Sequence, residues 1–103
     1  MIFVIFLFLI LCPQDIFARV VRVGIYDNLP KIGLDTKGRP AGIFVDITDY
    51  IGKKEGWKIE YVYDEWDNCL KRLEAGEIDL MPDVAYSGKR EKRFDFNKIS
   101  VLP

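Results

Sequence analysis

The chain switches repeatedly between strand and helix periodicity, and this alternation restricts its possible folds more than any other feature. Arg19–Asp27 (RVVRVGIYD) is rich in β-branched residues and is predicted to be a strand buried on both faces. Residues 57–64 (WKIEYVYD) place large apolar side chains at every second position, which predicts a second strand. Residues 78–81 (IDLM) predict a short buried third strand that ends at Pro82.

Helical spacing occupies the segments between these strands. In IFVDITDYIGKKEG the apolar positions that predict a buried helix face are Phe44, Ile47 and Ile51, and Gly56 is the predicted stop. In DEWDNCLKRLEAG one apolar stripe consists of Trp66, Cys69, Leu70 and Leu73. Asp64 is predicted to cap this second helix and Gly76 to end it.

The remaining segments predict turns. The loop NLPKIGLDTKGRPAG contains a small hairpin that turns at TKG. SGKRE is a short helical turn with Ser87 as its cap, and RFDFN, residues 93–97, is predicted to be extended.

This order of elements predicts an α/β fold with a parallel-type sheet covered by helices on both faces. Helices that connect successive strands imply right-handed crossovers and parallel neighbours. Open sheets of this kind bind ligands beyond the carboxyl ends of their strands. Those ends are the loops after Tyr26, after Tyr63 and after Met81.

Composition excludes several classes of function. The chain has 103 residues and a formal charge of −1, which suits one small domain and argues against a nucleic-acid binder. Histidine is absent, so Ser–His and Cys–His catalysis and histidine-ligated metals are excluded. We predict no catalytic set, no metal site and no cofactor, and Cys69 is a small core residue in its helix stripe.

The first twelve residues, MIFVIFLFLILC, form an apolar run that is too short to span a bilayer. Residues 1–18 are therefore predicted to be a signal peptide or signal anchor with cleavage after Ala18, although no basic residue precedes the run. A buried core element is the alternative, and Leu11 is too bulky for lipoprotein processing at Cys12. Residues 19–103 are then an exported domain.

Four basic residues cluster in the segment SGKREKRFDFN: Lys89, Arg90, Lys92 and Arg93. From spacing alone, the simplest interpretation is a solvated charged face. A nucleic-acid patch is opposed by export and by the near-zero charge. A holder for one anionic group is the third interpretation.

The exported part resembles the extracellular solute-binding protein family 3, the amino-acid type of periplasmic binding protein. The matching pieces, in order, are VRVGIYDNLP, GIFVDI, WDNCLKRLEAGEIDLM and SGKREKRFDFN. The resemblance implies a type II periplasmic-binding-protein-like lobe. Because the family's domain is a two-lobed clamp, residues 19–103 are expected to be a first-lobe portion, a partial domain with the second lobe missing.

The resemblance also implies a binding site. In this family an arginine after a Ser/Thr-x-x pattern holds the ligand carboxylate, and that position is Arg90, with Ser87 adding a hydroxyl. Asp83 accepts the ammonium group of the solute, repels an anion and so shifts the preference away from simple amino acids, or caps the end of its strand. Tyr26 and Leu29 either wall the solute or are residues of the core edge. The expected partner is a small amino-acid-like molecule with a carboxylate.

The segments PDVAYS and NKISVLP are most similar to those of family domains that are fused to bacterial sensor histidine kinases. The resemblance therefore implies a truncated sensory input domain on the outer side of the inner membrane, attached through its N-terminal segment or missing C-terminal parts. One alternative is the periplasmic binding subunit of an amino-acid ABC transporter. A further alternative is the non-catalytic binding domain of an exported transglycosylase-type enzyme, since some dehydratases and transglycosylases carry this fold.

Overall fold

A computed structural model of the protein describes residues 18–97. The predicted signal segment at residues 1–18 lies outside this range apart from Ala18, and so do residues 98–103. The strands are β1 Val20–Ile25, β2 Gly33–Leu34, β3 Pro40–Ala41 and β4 Lys58–Tyr63. The helices are α1 Ile43–Glu55, α2 Trp66–Glu74 and α3 Gly88–Glu91.

The main sheet is built around β1, which pairs in parallel with β4 from Val20 opposite Lys58 to Ile25 opposite Tyr63. On its other side β1 pairs with the segment predicted to be a third strand. The Gly24 amide donates to the Leu80 carbonyl at 2.8 Å, and the Leu80 amide donates to the Arg22 carbonyl at 3.2 Å.

The predicted third strand at residues 78–81 is reduced to a single parallel bridge between Val23 and Leu80. The Asp79 carboxylate accepts the Arg22 amide at 2.9 Å, so a side chain takes a donor that a longer ladder would pair with main chain. Pro82 then offers no amide to extend the pairing. Two residues of this segment, Ile78 and Met81, are nevertheless buried.

Helix α1 covers one face of the sheet, and the predicted face is correct in part: Phe44 is buried and Ile47 packs against the core. Phe44, Val45, Thr48 and Gly52 are buried, whereas Ile51 is 41% exposed. A Cβ added at Gly52 would lie 2.7 Å from Cγ1 of Ile59, so the helix packs closest to β4 along its small residues. The predicted stop is confirmed, since Gly56 has a φ of 73° and its position ends α1.

Helix α2 covers the opposite face, which confirms the prediction of helices on both sides. Cys69 is fully buried against Ile78 and Met81, and Trp66, Leu70 and Leu73 pack around them as the stripe predicted. The cap is shifted by one residue. Glu65 is the N-cap, while Asp64 accepts the Glu65 amide at 2.8 Å and the Arg72 Nε at 2.9 Å.

The turns follow the sequence except near the end of the described residues. β2 and β3 form the antiparallel hairpin predicted around TKG. The Ser87 Oγ accepts the Arg90 amide at 3.1 Å, which confirms the cap of α3. Residues 93–97 are not extended strand, because the amides of Arg93 and Phe94 both donate to the Arg90 carbonyl and fold the chain back. Among residues 18–97, none of the helices has both the length and the apolar character needed to cross a membrane.

Candidate functional site

A cavity lies at the carboxyl edge of the main sheet, where the loops after β1 and β4 meet. Its volume is about 500 Å³, within the range of ligand pockets. The wall combines aromatic rings with carboxylates, and its residues are Tyr26, Asp27, Tyr63, Asp64, Glu65 and Trp66. The observed cavity therefore occupies the sheet edge at which the sequence predicted ligand binding.

Tyr26, in the loop after β1, contacts Asp83, which follows residues 78–81 in the chain. Its hydroxyl lies 2.6 Å from the Asp83 carbonyl oxygen and 3.0 Å from the Asp83 Oδ2, and it can donate to either. The Asn28 side-chain amide donates to the same Oδ2 at 3.0 Å. Burial, followed by the hydrogen bond to Asp83, raises the pKa of Tyr26 to about 12. Asp83 therefore holds two loops together.

Arg90 reaches the cavity wall through Trp66. The guanidinium carbon lies 5.3 Å from the centroid of the Trp66 ring, within the range of a cation–π contact. Trp66 in turn meets Tyr26 edge-to-face, with ring centroids 4.7 Å apart. The Arg90 Nη1 also donates to the Ala85 carbonyl at 3.0 Å. The three side chains form a continuous row, which we call the Tyr26–Trp66–Arg90 row.

Of the five site residues predicted from sequence, three lie at the cavity or contact its wall, and two do not. Tyr26 lines the cavity, Asp83 bonds to it directly, and Arg90 joins it through the row. Ser87 lies at the amino end of α3, where its oxygen accepts the Arg90 amide. Leu29 is 49% exposed, lies against Gly33 of the hairpin and is not among the residues that line the cavity.

Of the cavity-lining residues, only Tyr26 was among the predicted site residues. Trp66 was missed because its place in the apolar stripe of α2 already accounted for it. A signal was present, since Trp66 begins the helix that follows the carboxyl end of β4. The other basic residues differ from Arg90. Lys89 and Lys92 are exposed, and Arg93 pairs with Glu74.

Asp64 contributes a carboxylate whose charge is already compensated. The Asn68 side-chain amide, the Glu65 amide and the Arg72 guanidinium hold the pKa of Asp64 below its usual range. Within residues 18–97, no three histidine, cysteine, aspartate or glutamate side chains are grouped so that they could hold a metal ion. The side chains of the cavity wall can contact a ligand through charge, hydrogen bonds and aromatic faces.

The Tyr26–Asp83 contact predicts a dependence of stability on high pH. Because the pKa of Tyr26 rises from about 10 in the unfolded chain to about 12 in the folded one, its stabilising contribution is complete below pH 10 and disappears as the pH approaches 12. The tyrosinate absorbance of wild type minus that of Tyr26→Phe should titrate at this raised pKa. Asp83→Asn should lower the pKa of Tyr26, and an unchanged titration in that variant would refute the coupling.

The lobe, its parallel sheet and the cavity at the carboxyl strand ends define a periplasmic-binding-protein-like domain. Residues 21–101 match the model of the family described as bacterial extracellular solute-binding proteins, family 3, and the chain belongs to this family. Both the predicted family and the predicted fold class are confirmed.

Individual relatives agree with this membership. The chain is 32% identical over 69 residues to a protein of Neisseria gonorrhoeae named "Probable histidine-binding protein", covering 66% of this chain and 26% of that protein. It therefore spans about a quarter of the length of this curated relative.

Two solved structures share the fold. A candidate L-cystine ABC transporter protein of Listeria monocytogenes is 29% identical, with a TM-score of 0.72 over 80% of this chain and 36% of that chain. A histidine kinase sensor domain with similarity to periplasmic binding proteins is 28% identical, with a TM-score of 0.68 over 77% of this chain and 35% of that chain.

Proposed function

We propose that this chain forms part of an extracytoplasmic module that binds a small amino-acid-like solute, without chemical turnover, and that Arg90 holds the carboxylate of that solute. The observation that carries the proposal is the Tyr26–Trp66–Arg90 row, which joins the predicted arginine to the cavity at the carboxyl ends of the strands. Family membership supports a solute-binding role. The names of relatives that refer to histidine and L-cystine support the amino-acid class.

The chemistry of Arg90 suits a carboxylate. A guanidinium has five N–H donors in a rigid plane, and the bond from Nη1 to the Ala85 carbonyl engages one of them. Contact with the Trp66 ring restricts the orientation of that plane before a solute arrives, which reduces the entropy lost on binding. The Ser87 oxygen is bonded to the Arg90 amide, so the main chain of α3 and its arginine are positioned together.

The rest of the cavity suits the opposite end of such a solute. The exposed carboxylates of Asp27 and Glu65 line the cavity and can accept hydrogen bonds from an ammonium group. Tyr26, Tyr63 and Trp66 offer aromatic surface to an apolar stem. The carboxylate of an amino acid would thus contact Arg90, and its ammonium group would contact Asp27 or Glu65. Asp83 accepts a hydrogen bond from Tyr26 and holds that ring in the wall.

Calorimetric titration of the full-length protein with single amino acids, each followed by its carboxamide, tests the proposal. At least one amino acid is expected to bind, and its carboxamide should bind about 10- to 150-fold more weakly. Charge-assisted hydrogen bonds contribute about 1.5–3 kcal/mol, and about 1.4 kcal/mol corresponds to a factor of ten. Equal binding of the two forms, or binding of none of the amino acids, would contradict it.

For the cellular role we propose the sensory input of a two-component kinase, which is supported by the PDVAYS segment and by the likeness to a kinase sensor domain. Delivery of a solute to an ABC transporter is the second candidate, supported by the likeness to the Listeria protein. A deletion strain separates the two. Loss of the transcriptional response to the solute with normal uptake supports the sensor, and loss of uptake of the labelled solute supports the transporter.

A further inference from the structure

Helix α1 carries a second, exposed apolar surface beside the side that packs on the sheet. Ile43 is 49% exposed, Tyr50 69% and Ile51 41%, and Ile47 lies between them, partly exposed and partly packed against the buried core. At about 100° per residue these four positions fall within a sector of roughly 100°. We call Ile43, Ile47, Tyr50 and Ile51 the outer stripe. It borders the buried side, which contains Phe44, Val45, Thr48 and Gly52.

Charged residues border the outer stripe in an order that complements itself. Asp46 and Lys53 are both exposed and are seven residues apart, so they lie along the same edge of the stripe, two turns from each other. In an antiparallel pair related by a two-fold axis, the same edges of the two helices meet, and Asp46 of one copy faces Lys53 of the other at both ends. The same arrangement brings Ile47 opposite Tyr50.

We propose that the outer stripe of α1 is the contact between two copies of this chain. A second copy is the favoured partner of the outer stripe because one two-fold arrangement of two α1 helices satisfies both features. It places apolar residues opposite apolar residues and Asp46 opposite Lys53. The stem of Lys54, at the end of the stripe, can cover Ile43 of the second copy while its ammonium group stays in water. No residue of α1 is among those that line the cavity, so pairing through the outer stripe does not use the cavity wall.

Sedimentation of the full-length protein tests this pairing. A single helix–helix contact belongs to the small class of interfaces, so the wild type is expected to be a dimer that dissociates between about 1 μM and 1 mM. Tyr50→Ser should shift the dissociation constant upward by at least tenfold. Asp46→Lys and Lys53→Asp should each be monomeric, because every edge contact then joins like charges.

Mixing these two charge variants gives the decisive result. Lysines at positions 46 and 53 of one chain then face aspartates at both positions of the other, so the mixture is expected to form heterodimers. Tyr86→Ser removes an equally exposed tyrosine far from α1 in sequence and should leave the wild-type dimer unchanged. A monomeric wild type, a mixture that stays monomeric, or a Tyr50→Ser variant that loses thermal stability at unchanged mass would overturn the proposal. Circular dichroism verifies that each variant is folded.

Discussion

Gly24→Ala is expected to destabilise the protein by about 1–3 kcal/mol, the usual cost of inserting a group into a packed core. A Cβ at this position would lie 2.4 Å from Cδ1 of Ile78 and 3.2 Å from Cγ of Met81. Ile78 is only 2% exposed and packs between β1 and α2, so its side chain has little room to move. Gly24→Val should cost more, since it adds further atoms to the same space.

Urea unfolding followed by tryptophan fluorescence measures this loss. For a domain of this size each kcal/mol also lowers the melting temperature by about 4–8 °C. Gly88→Ala is the matched control, because nothing lies within 4 Å of the added Cβ. Ile78→Val removes the clashing Cδ1, so the double variant Gly24→Ala/Ile78→Val should be more stable than the sum of the single effects predicts. Equal costs at Gly24 and Gly88 would show that α2 does not pack closely on β1.

The sequence predicted the main elements of the fold but not all of the contacts between them. Periodicity predicted β1, β4 and both main helices, because each pattern reports burial that is repeated over several residues of one element. In α1 it predicted the contacts of Phe44 and Ile47 with the core, but it chose Ile51 where Val45 is buried. Ile51 and Val45 are both apolar, and the choice between them depends on the close approach of Gly52 to Ile59 on another element.

The prediction of a third strand at residues 78–81 was wrong in its extent for a related reason. The apolar pattern of residues 78–81 correctly indicates burial of Ile78 and Met81. The extent of pairing, however, depends on the Asp79 carboxylate, which takes the Arg22 amide from 57 residues away. A local pattern contains no information on such a competition between a side chain and the main chain.

At the candidate site, the family resemblance predicted residues, and the structure shows the contacts between some of them. Ser87 and Arg90 are close in sequence, and their cap could be predicted from the motif alone. Tyr26 and Asp83 are 57 positions apart, so their hydrogen bond could not be. Trp66 was assigned to the core by its spacing, although its ring also contacts Tyr26 and Arg90.

Arg90→Ala is expected to weaken solute binding by about 10- to 150-fold, because it removes the charge-assisted hydrogen bonds to the carboxylate, worth about 1.5–3 kcal/mol. The fold should survive. The bond that caps α3 runs from the Arg90 main-chain amide to Ser87 Oγ, and alanine keeps that amide. Arg90→Lys retains the charge but loses the planar fork and the wide stacking surface, so its affinity should lie between those of wild type and Arg90→Ala.

Calorimetry on the full-length protein, with melting curves as the test of folding, separates this role from that of an ordinary surface charge. Lys89→Ala removes the adjacent exposed charge and should leave the affinity unchanged, which also excludes a general electrostatic effect. Trp66→Leu should weaken binding of the amino acid more than binding of its carboxamide, because the Trp66 ring contacts the guanidinium that we propose holds the carboxylate. If Arg90→Ala and Lys89→Ala bind the solute equally well, the carboxylate is held elsewhere and the assignment of Arg90 is wrong.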